Sequence, residues 1–289
     1  MKGRHTYDVI GKALKEVLEE YNIEAKTTSA VTDSGSNFCK SFRVYAGILD
    51  PEDEPEPLHT NESGDESDME EEDDVQPMEL FPILEEEGSD IRLPPHFKCA
   101  SHKMNNIAAH DVDEALKSPD YKKHSRSAMM KASALFKKQT KSTLAADHIR
   151  ANCGGKLFII PNATRWNSGY DAMKRLVVVI NESSDSCDRL MDLLDIPRFT
   201  PDDKKFLEEY IQVYHYFANV LDLLQGESNC YVGSLLPLLS GLSAKLNEES
   251  QNVEICAPLA QALISGINKR FYNEFSNDQL YIASTVHPR

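Results

Sequence analysis

Apolar residues recur every three or four positions along 5–21, at Val9, Ile10, Ala13, Leu14, Val17, Leu18 and Tyr21, which predicts a helix with one buried face. The stretch TTSAVTD, ending at Asp33, is rich in β-branched residues and predicts a strand. SGSN follows, then a second helical run, NFCKSFRVYAGIL. Helix, strand, acid, small residues and helix make an α/β unit with Asp33 at the carboxyl edge of a sheet, where sites in such folds collect. Further on, two prolines in LPPHFKCASHKMNNIAAHDVDEAL precede a helical stretch built on Met104, Ile107, Ala108, Val112, Ala115 and Leu116. Residues 121–150 favour helix, and KLFIIP predicts a short strand running into NATRWNSGYDAMKRLVVVI. The final third reads as packed helices. Thr200-Pro201-Asp202-Asp203 is a helix start, with a capping Thr and Pro at the first helical position. Apolar positions then run from Phe206 to Leu224, Gly226 is a stop, and further helical runs lie around 231–247 and 256–275.

Charge changes this picture in one place. The formal net charge is −16 over 289 residues. Between Asp50 and Arg92, however, stand nineteen acidic residues and one basic, so the remainder is slightly positive and nothing in it excludes DNA. The acidic runs, broken by prolines, cannot bury enough apolar surface to order, and 50–92 is expected to be a disordered loop. A weak interaction motif around Leu80, Phe81, Ile83 and Leu84 is the other reading. The opposite charge gathers over 117–141, where Lys122, Lys123, Arg126, Lys131, Lys137, Lys138 and Lys141 could contact phosphates or line a solvated helix face. No apolar run reaches the roughly 18–20 residues of a membrane span, so no membrane is expected. The N-terminus lacks a signal-peptide pattern. Six scattered cysteines without a C-x-x-C pair argue against a disulfide framework.

Three places carry candidate chemistry. Asp33, followed by Ser34, Gly35, Ser36 and Asn37, could present a carboxylate to a divalent metal, or cap the following helix. Cys99 and His102 form a C-x-x-H pair whose ligand types suit zinc, yet the second half of a four-ligand site is missing nearby. Structural polar residues at a sheet–helix junction are the alternative. Trp166, the one tryptophan, stands beside Arg165, and an indole next to a guanidinium makes a platform for an unstacked base as well as ordinary core. No P-loop, G-x-G-x-x-G, G-x-S-x-G or H-E-x-x-H occurs, which leaves the common nucleotide-binding and hydrolase chemistries without their motifs.

Six strings in order, TTSAVTDSGSNFCKSF, LPPHFKCASHKMNNIA, IIPNATRWNSGYDAM, FTPDDKKFLEEYIQVYHYFANVLDLLQGE, YVGSLLPLLSGL and IASTVHPR, together resemble the hAT (hobo–Activator–Tam3) DNA transposases, especially the BED-finger-associated members of animals. The resemblance spans nearly the whole chain apart from the acidic loop. It implies a ribonuclease-H-like fold carrying a DDE triad, with a large helical domain inserted ahead of the last acid. Asp33 matches the second catalytic aspartate and so a metal ligand. Cys99 and His102 match the C-x-x-H motif near the active centre. Trp166, with Arg165 beside it, matches the tryptophan that stacks on a flipped base at a DNA hairpin.

The same resemblance sets the remaining expectations. The first aspartate would lie on a strand ahead of residues 5–21 and the last glutamate beyond Arg289. The BED zinc finger and the dimerisation region would also lie outside the chain. The expected protein is therefore an internal fragment that lacks two of three catalytic acids and is inactive as it stands, with a short sheet and an exposed strand edge. Its fold class is α+β, predominantly α. The expected order is a partial ribonuclease-H-like core at 1–49, the acidic loop at 50–92, the remainder of the core leading into the insertion at 93–180, and the helical insertion domain at 181–289. DNA, as transposon ends, is the expected partner, the nucleus the expected location, and a full-length form could form a homo-oligomer. Mg2+ or Mn2+ would serve only a catalytic full-length form. The alternatives are a truncated record of an active metal-dependent transposase and a helical interaction module whose acidic segment recruits basic partners.

Overall fold

A computed structural model describes residues 6–46, 91–162, 166–182, 184–226 and 230–286. Of these, 77% are helical and 3% lie in strands, so the protein is predominantly α with a small parallel sheet. The acidic stretch at 50–90 and Arg165 lie outside the described residues. Two compact units divide at Cys99 and Ala100.

The first unit is built from α1 (Tyr7–Glu20), β1 (Ala30–Thr32), α2 (Ser36–Tyr45) and β2 (His96–Lys98). The β-branched stretch expected to be extended yields only a three-residue strand, because β2 offers it just three partners. Ala30 pairs with His96, Val31 with Phe97 and Thr32 with Lys98, in parallel register. β2 has no local signature, since HFK is too short to show a period of two. Ile10 of α1 and Cys39 and Phe42 of α2 form the small core with Leu93. Gly11 permits the close approach of α1 and α2, since a Cβ there would stand 2.6 Å from the Tyr45 ring. The Phe42 ring stacks on the His96 imidazole, 4.3 Å between centroids and 5° from parallel, and ties α2 to β2.

The second unit holds α3 (Ala100–Ala109), α4 (Pro119–Lys141), α5 (Thr143–Asn152), α6 (Trp166–Glu182), α7 (Ser184–Leu193), α8 (Pro201–Gln225), α9 (Leu235–Asn252), α10 (Ala257–Arg270), α11 (Tyr272–Phe275) and α12 (Asp278–Val286). The basic stretch 121–150 is two helices. Ser142 ends α4 in an extended conformation, and its hydroxyl caps α5 by accepting from the Ala145 N–H at 3.2 Å. KLFIIP is not a strand. Phe158 finds its partners in a side chain instead, with Gln139 donating to its carbonyl and accepting from its N–H, both at 2.9 Å. Its ring then lies edge-on to Phe136 at 5.9 Å, so an apolar run that looks extended is fixed as irregular chain on α4.

α8 is the central helix, buried along Phe206, Leu207, Val213, Tyr214, Phe217 and Leu221. Its start is as the sequence predicts. The Thr200 hydroxyl accepts from the Asp203 N–H at 3.1 Å, and the Asp203 carboxylate accepts from the Thr200 N–H at 2.8 Å. It ends before Gly226, whose φ of −68° shows that the stop needs no left-handed residue. One core of this unit takes residues from α3 through α10, so helices on both sides of position 180 share it. Gly266 lets α10 lie against α3, because a Cβ there would meet the Ile107 side chain at 2.8 Å.

Candidate functional site

The parallel register of β1 and β2 brings two of the sequence candidates to one end of the sheet. The Cys99 N–H donates to the Thr32 carbonyl at 2.6 Å, so Asp33 and Cys99 both leave the strands at the carboxyl edge. Asp33 is exposed. Its Oδ1 accepts from the Gly35 N–H at 3.1 Å, an Asx turn that swings the chain into α2. Thr32 is held on both sides, its hydroxyl donating to the Asp33 carbonyl and lying 2.8 Å from His96 Nε2. Cys99 is half-buried and closes the first unit. His102 is half-buried on α3, which opens the second.

Among the described residues, no group of three or more His, Cys, Asp or Glu is placed to hold a metal ion. Divalent-metal phosphoryl transfer needs two or three converging carboxylates. The described residues therefore do not by themselves fit a Mg2+ or Mn2+ pair, and no chemical step follows from them.

Trp166 begins α6 and packs against α8. Its ring lies 4.4 Å from Tyr214, 5.3 Å from Phe217 and 6.1 Å from Tyr170, centroid to centroid. Burial pushes the Tyr214 and Tyr170 phenols above their ordinary pKa, so this cluster stays neutral. Trp166 itself remains half-buried. One surface of the indole anchors the helix pair while part of it stays open to solvent. Asn167, next along, donates to the Asp222 carboxylate, and Ser168 exchanges hydrogen bonds with the Asn162 backbone at 2.8 and 3.0 Å. The start of α6 is thus fixed from both sides.

The basic run lies on α4. Lys131 is drawn inward to Asp203. Lys123, Arg126, Lys137, Lys138 and Lys141 are exposed, and Lys122 is half-buried.

The charged residues that pattern reading missed are buried or half-buried ones. Lys103 bonds Glu274, Arg270 bonds Asp111, and the Glu209 carboxylate reaches the start of α10. A signal existed. Lys103 stands four residues before Ile107, and Glu209 stands three after Phe206 and four before Val213, so both occupy core-facing helical positions.

Compared with known proteins, the chain matches no protein-family model and no curated protein.

Proposed function

We propose that this chain is a hAT-transposase-like protein that acts on DNA by binding it, in the nucleus, with transposon-type ends as its substrate class. The reading takes the first unit as part of a ribonuclease-H-like core and the second as the helical insertion domain. One observation carries it. Two strings of the resemblance, TTSAVTDSGS and FKCASHK, stand more than sixty positions apart, and the β1–β2 register sets Asp33 and Cys99 side by side at the carboxyl edge. That is where an acid and the cysteine of a C-x-x-H motif serving one centre would meet. Asp33 is then a single metal-ligating carboxylate that takes up Mg2+ or Mn2+ only with further acids. Trp166, held by Tyr214 and Phe217 yet partly open, is the platform for a base at a hairpin end.

The test compares binding of a fluorescent hairpin-ended duplex and a blunt duplex of the same sequence. Stacking one base on an aromatic ring is worth about 1–3 kcal/mol, so the hairpin should bind roughly five-fold or more tighter. Trp166→Leu, which keeps apolar volume against Tyr214, should abolish the difference without unfolding the chain. Equal affinity of the unaltered chain for both ends would refute the reading.

A second reading, metal-dependent strand cleavage when further carboxylates join Asp33, is supported by the exposure of Asp33 beside Cys99. Its test is Mn2+-dependent nicking by a longer chain, abolished by Asp33→Asn.

A further inference from the structure

We infer that the outer face of α4 is a duplex-DNA backbone clamp, in which two groups of cations at the ends of one rigid helix grip phosphate rows on either side of a groove. This deepens the DNA-binding reading and rests on it, but uses side chains other than Trp166 and Asp33. α4 runs unbroken for 23 residues, with Ser118 as its N-cap and Pro119 in its first turn. Its inner face, Tyr121, Ala128, Ala132, Leu135 and Phe136, is buried in the core of the second unit. Its outer stripe follows a spacing of three and four: Lys123, Arg126, Met130, Ser133, Lys137 and Lys141, all exposed. Lys138 is exposed beside it.

The arrangement of the charges decides what fits there. Between Tyr121 and Lys141 there is no acidic residue at all, and Asp120 at the start lies 3.3 Å from His124. Lys123 and Arg126 form one group and Lys137, Lys138 and Lys141 the other. At the helical rise, Arg126 and Lys137 are about 16 Å apart along the axis, and Lys123 and Lys141 about 27 Å. Between the groups the outer stripe of α4 carries no charge, with Lys131 turned inward to Asp203 and Met130 70% exposed. A B-form major groove is about 12 Å wide, so the phosphate rows that flank it come within reach of long Lys and Arg side chains at the two ends. An uncharged middle then faces the groove and meets no phosphate. A flexible acidic peptide would call for no such gap. A membrane surface would require an apolar face, and the apolar face of α4 is already committed to the core. The contacts are to phosphate, so binding is sequence-independent and set by counterion release.

The experiment measures binding of the full chain to a mixed-sequence 20-base-pair blunt duplex over a salt series, with poly-glutamate and phosphatidylserine vesicles as competing polyanions. Five phosphate contacts give a slope of log K against log salt near −4.5, or roughly 500-fold weaker binding between 50 and 200 mM salt. Lys137→Gln with Lys138→Gln should bring the slope to about −2.7. Both side chains are exposed, so folding should persist, and an unchanged circular-dichroism melt checks it. Met130→Glu, which sets a carboxylate between the groups, should weaken duplex binding at least ten-fold. Lys245→Gln with Lys269→Gln, which remove cations from α9 and α10, should leave the slope as it was. An unchanged slope in the Lys137 and Lys138 variant overturns the proposal. So does displacement of the duplex by an equal charge of poly-glutamate or vesicles. Loss of hairpin preference alone, with the salt slope intact, would refute the transposon-end reading and leave the clamp standing.

Discussion

Lys103 and Glu274, 171 positions apart in the chain, form an ion pair buried on both sides, with Nζ 2.7 Å from Oε1. The same Nζ donates to the Arg270 carbonyl at 2.6 Å and lies 5.3 Å from the centre of the Phe271 ring. Glu274 Oε2 is buried with no hydrogen-bond partner among the described residues. Beside them Arg270 grips Asp111 with two bonds, at 2.5 and 3.0 Å. α3, which carries the C-x-x-H histidine, is thereby fastened to the far end of the sequence. Removing one member of such a pair strands the other charge and costs about 3–5 kcal/mol. Lys103→Met should therefore lower the urea midpoint sharply, and adding Glu274→Leu to it should restore most of the loss. Additive losses would show that the pair is not coupled.

Glu209 on α8 closes the amino end of α10. Its Oε2 accepts from the N–H groups of Glu254, Ile255 and Cys256 at 3.1, 2.7 and 2.9 Å. Cys256 is the N-cap of α10 and the other two residues precede it, so the carboxylate gathers the turn that leads into the helix, where a negative charge suits the positive end of the helix dipole. Glu209→Ala leaves three donors facing a cavity and should cost roughly 2–4 kcal/mol in a denaturant melt. Glu209→Gln, which keeps one acceptor, should lose less. Equal losses would mean that size and not charge matters there.

Stability should also fall in acid through Asp203. Burial by itself raises its carboxyl, but the bonds from Lys131, Ser127 and Thr200 outweigh this and hold it below its ordinary value. A group depressed in the folded state adds stability above its unfolded pKa, near 4, and loses it as pH falls through the lower folded value. The melting-temperature gap between the unaltered chain and Asp203→Asn should be largest at neutral pH and close below about pH 4. A gap independent of pH would refute this.

Thiol labelling separates the cysteines. Cys230 is exposed, while burial holds the Cys256 thiol far up and pushes Cys187 up to about 11. Since the thiolate is the reactive form, a maleimide at pH 7 should modify Cys230 in the native chain and reach Cys187 and Cys256 only in denaturant. Mass spectrometry of the labelled peptides reads the outcome, and native labelling of Cys256 would contradict its burial against Phe206 of α8.

Asp33→Asn should change stability by no more than about 0.5 kcal/mol, because the side chain is exposed and an amide oxygen can still accept from Gly35. A thermal melt checks it. A large loss would give Asp33 a structural role in place of a functional one.

The helices were legible wherever one face is apolar and the other wet. α1 lies within the predicted span, and the Thr200–Asp203 box marks the start of α8 to the residue. What the sequence hid depends on distant partners. HFK becomes a strand only because Ala30 to Thr32 lie alongside, and KLFIIP fails to become one because Gln139 satisfies Phe158 first. Neither fact is local. The break at Ser142 was readable in principle, since a serine before Thr-Leu-Ala is a helix start, but the run of basic residues on either side masked it. At the candidate site, Asp33 could be placed at a strand end from its neighbours alone, whereas its adjacency to Cys99 required the register. For Trp166 the sequence left core and platform both open, and the structure gives the indole a packed side and an open one.

The Glu209 bond to α10 also bears on how a polyanion can be held. Helix starts are the places where a backbone grips phosphate with fixed geometry. Here a carboxylate from α8 is seated at the N-cap of α10 and the turn before it, and the start of α8 is closed by its own Asp203. Neither start is left for a ligand. In the proposed clamp, phosphate contacts on α4 would come instead from long, freely rotating side chains, which follow the backbone of a duplex without fixing where along it they stop. If α4 grips DNA as proposed, the protein would scan before it settles, and any choice of position would come from a feature of the DNA end, not from the grip.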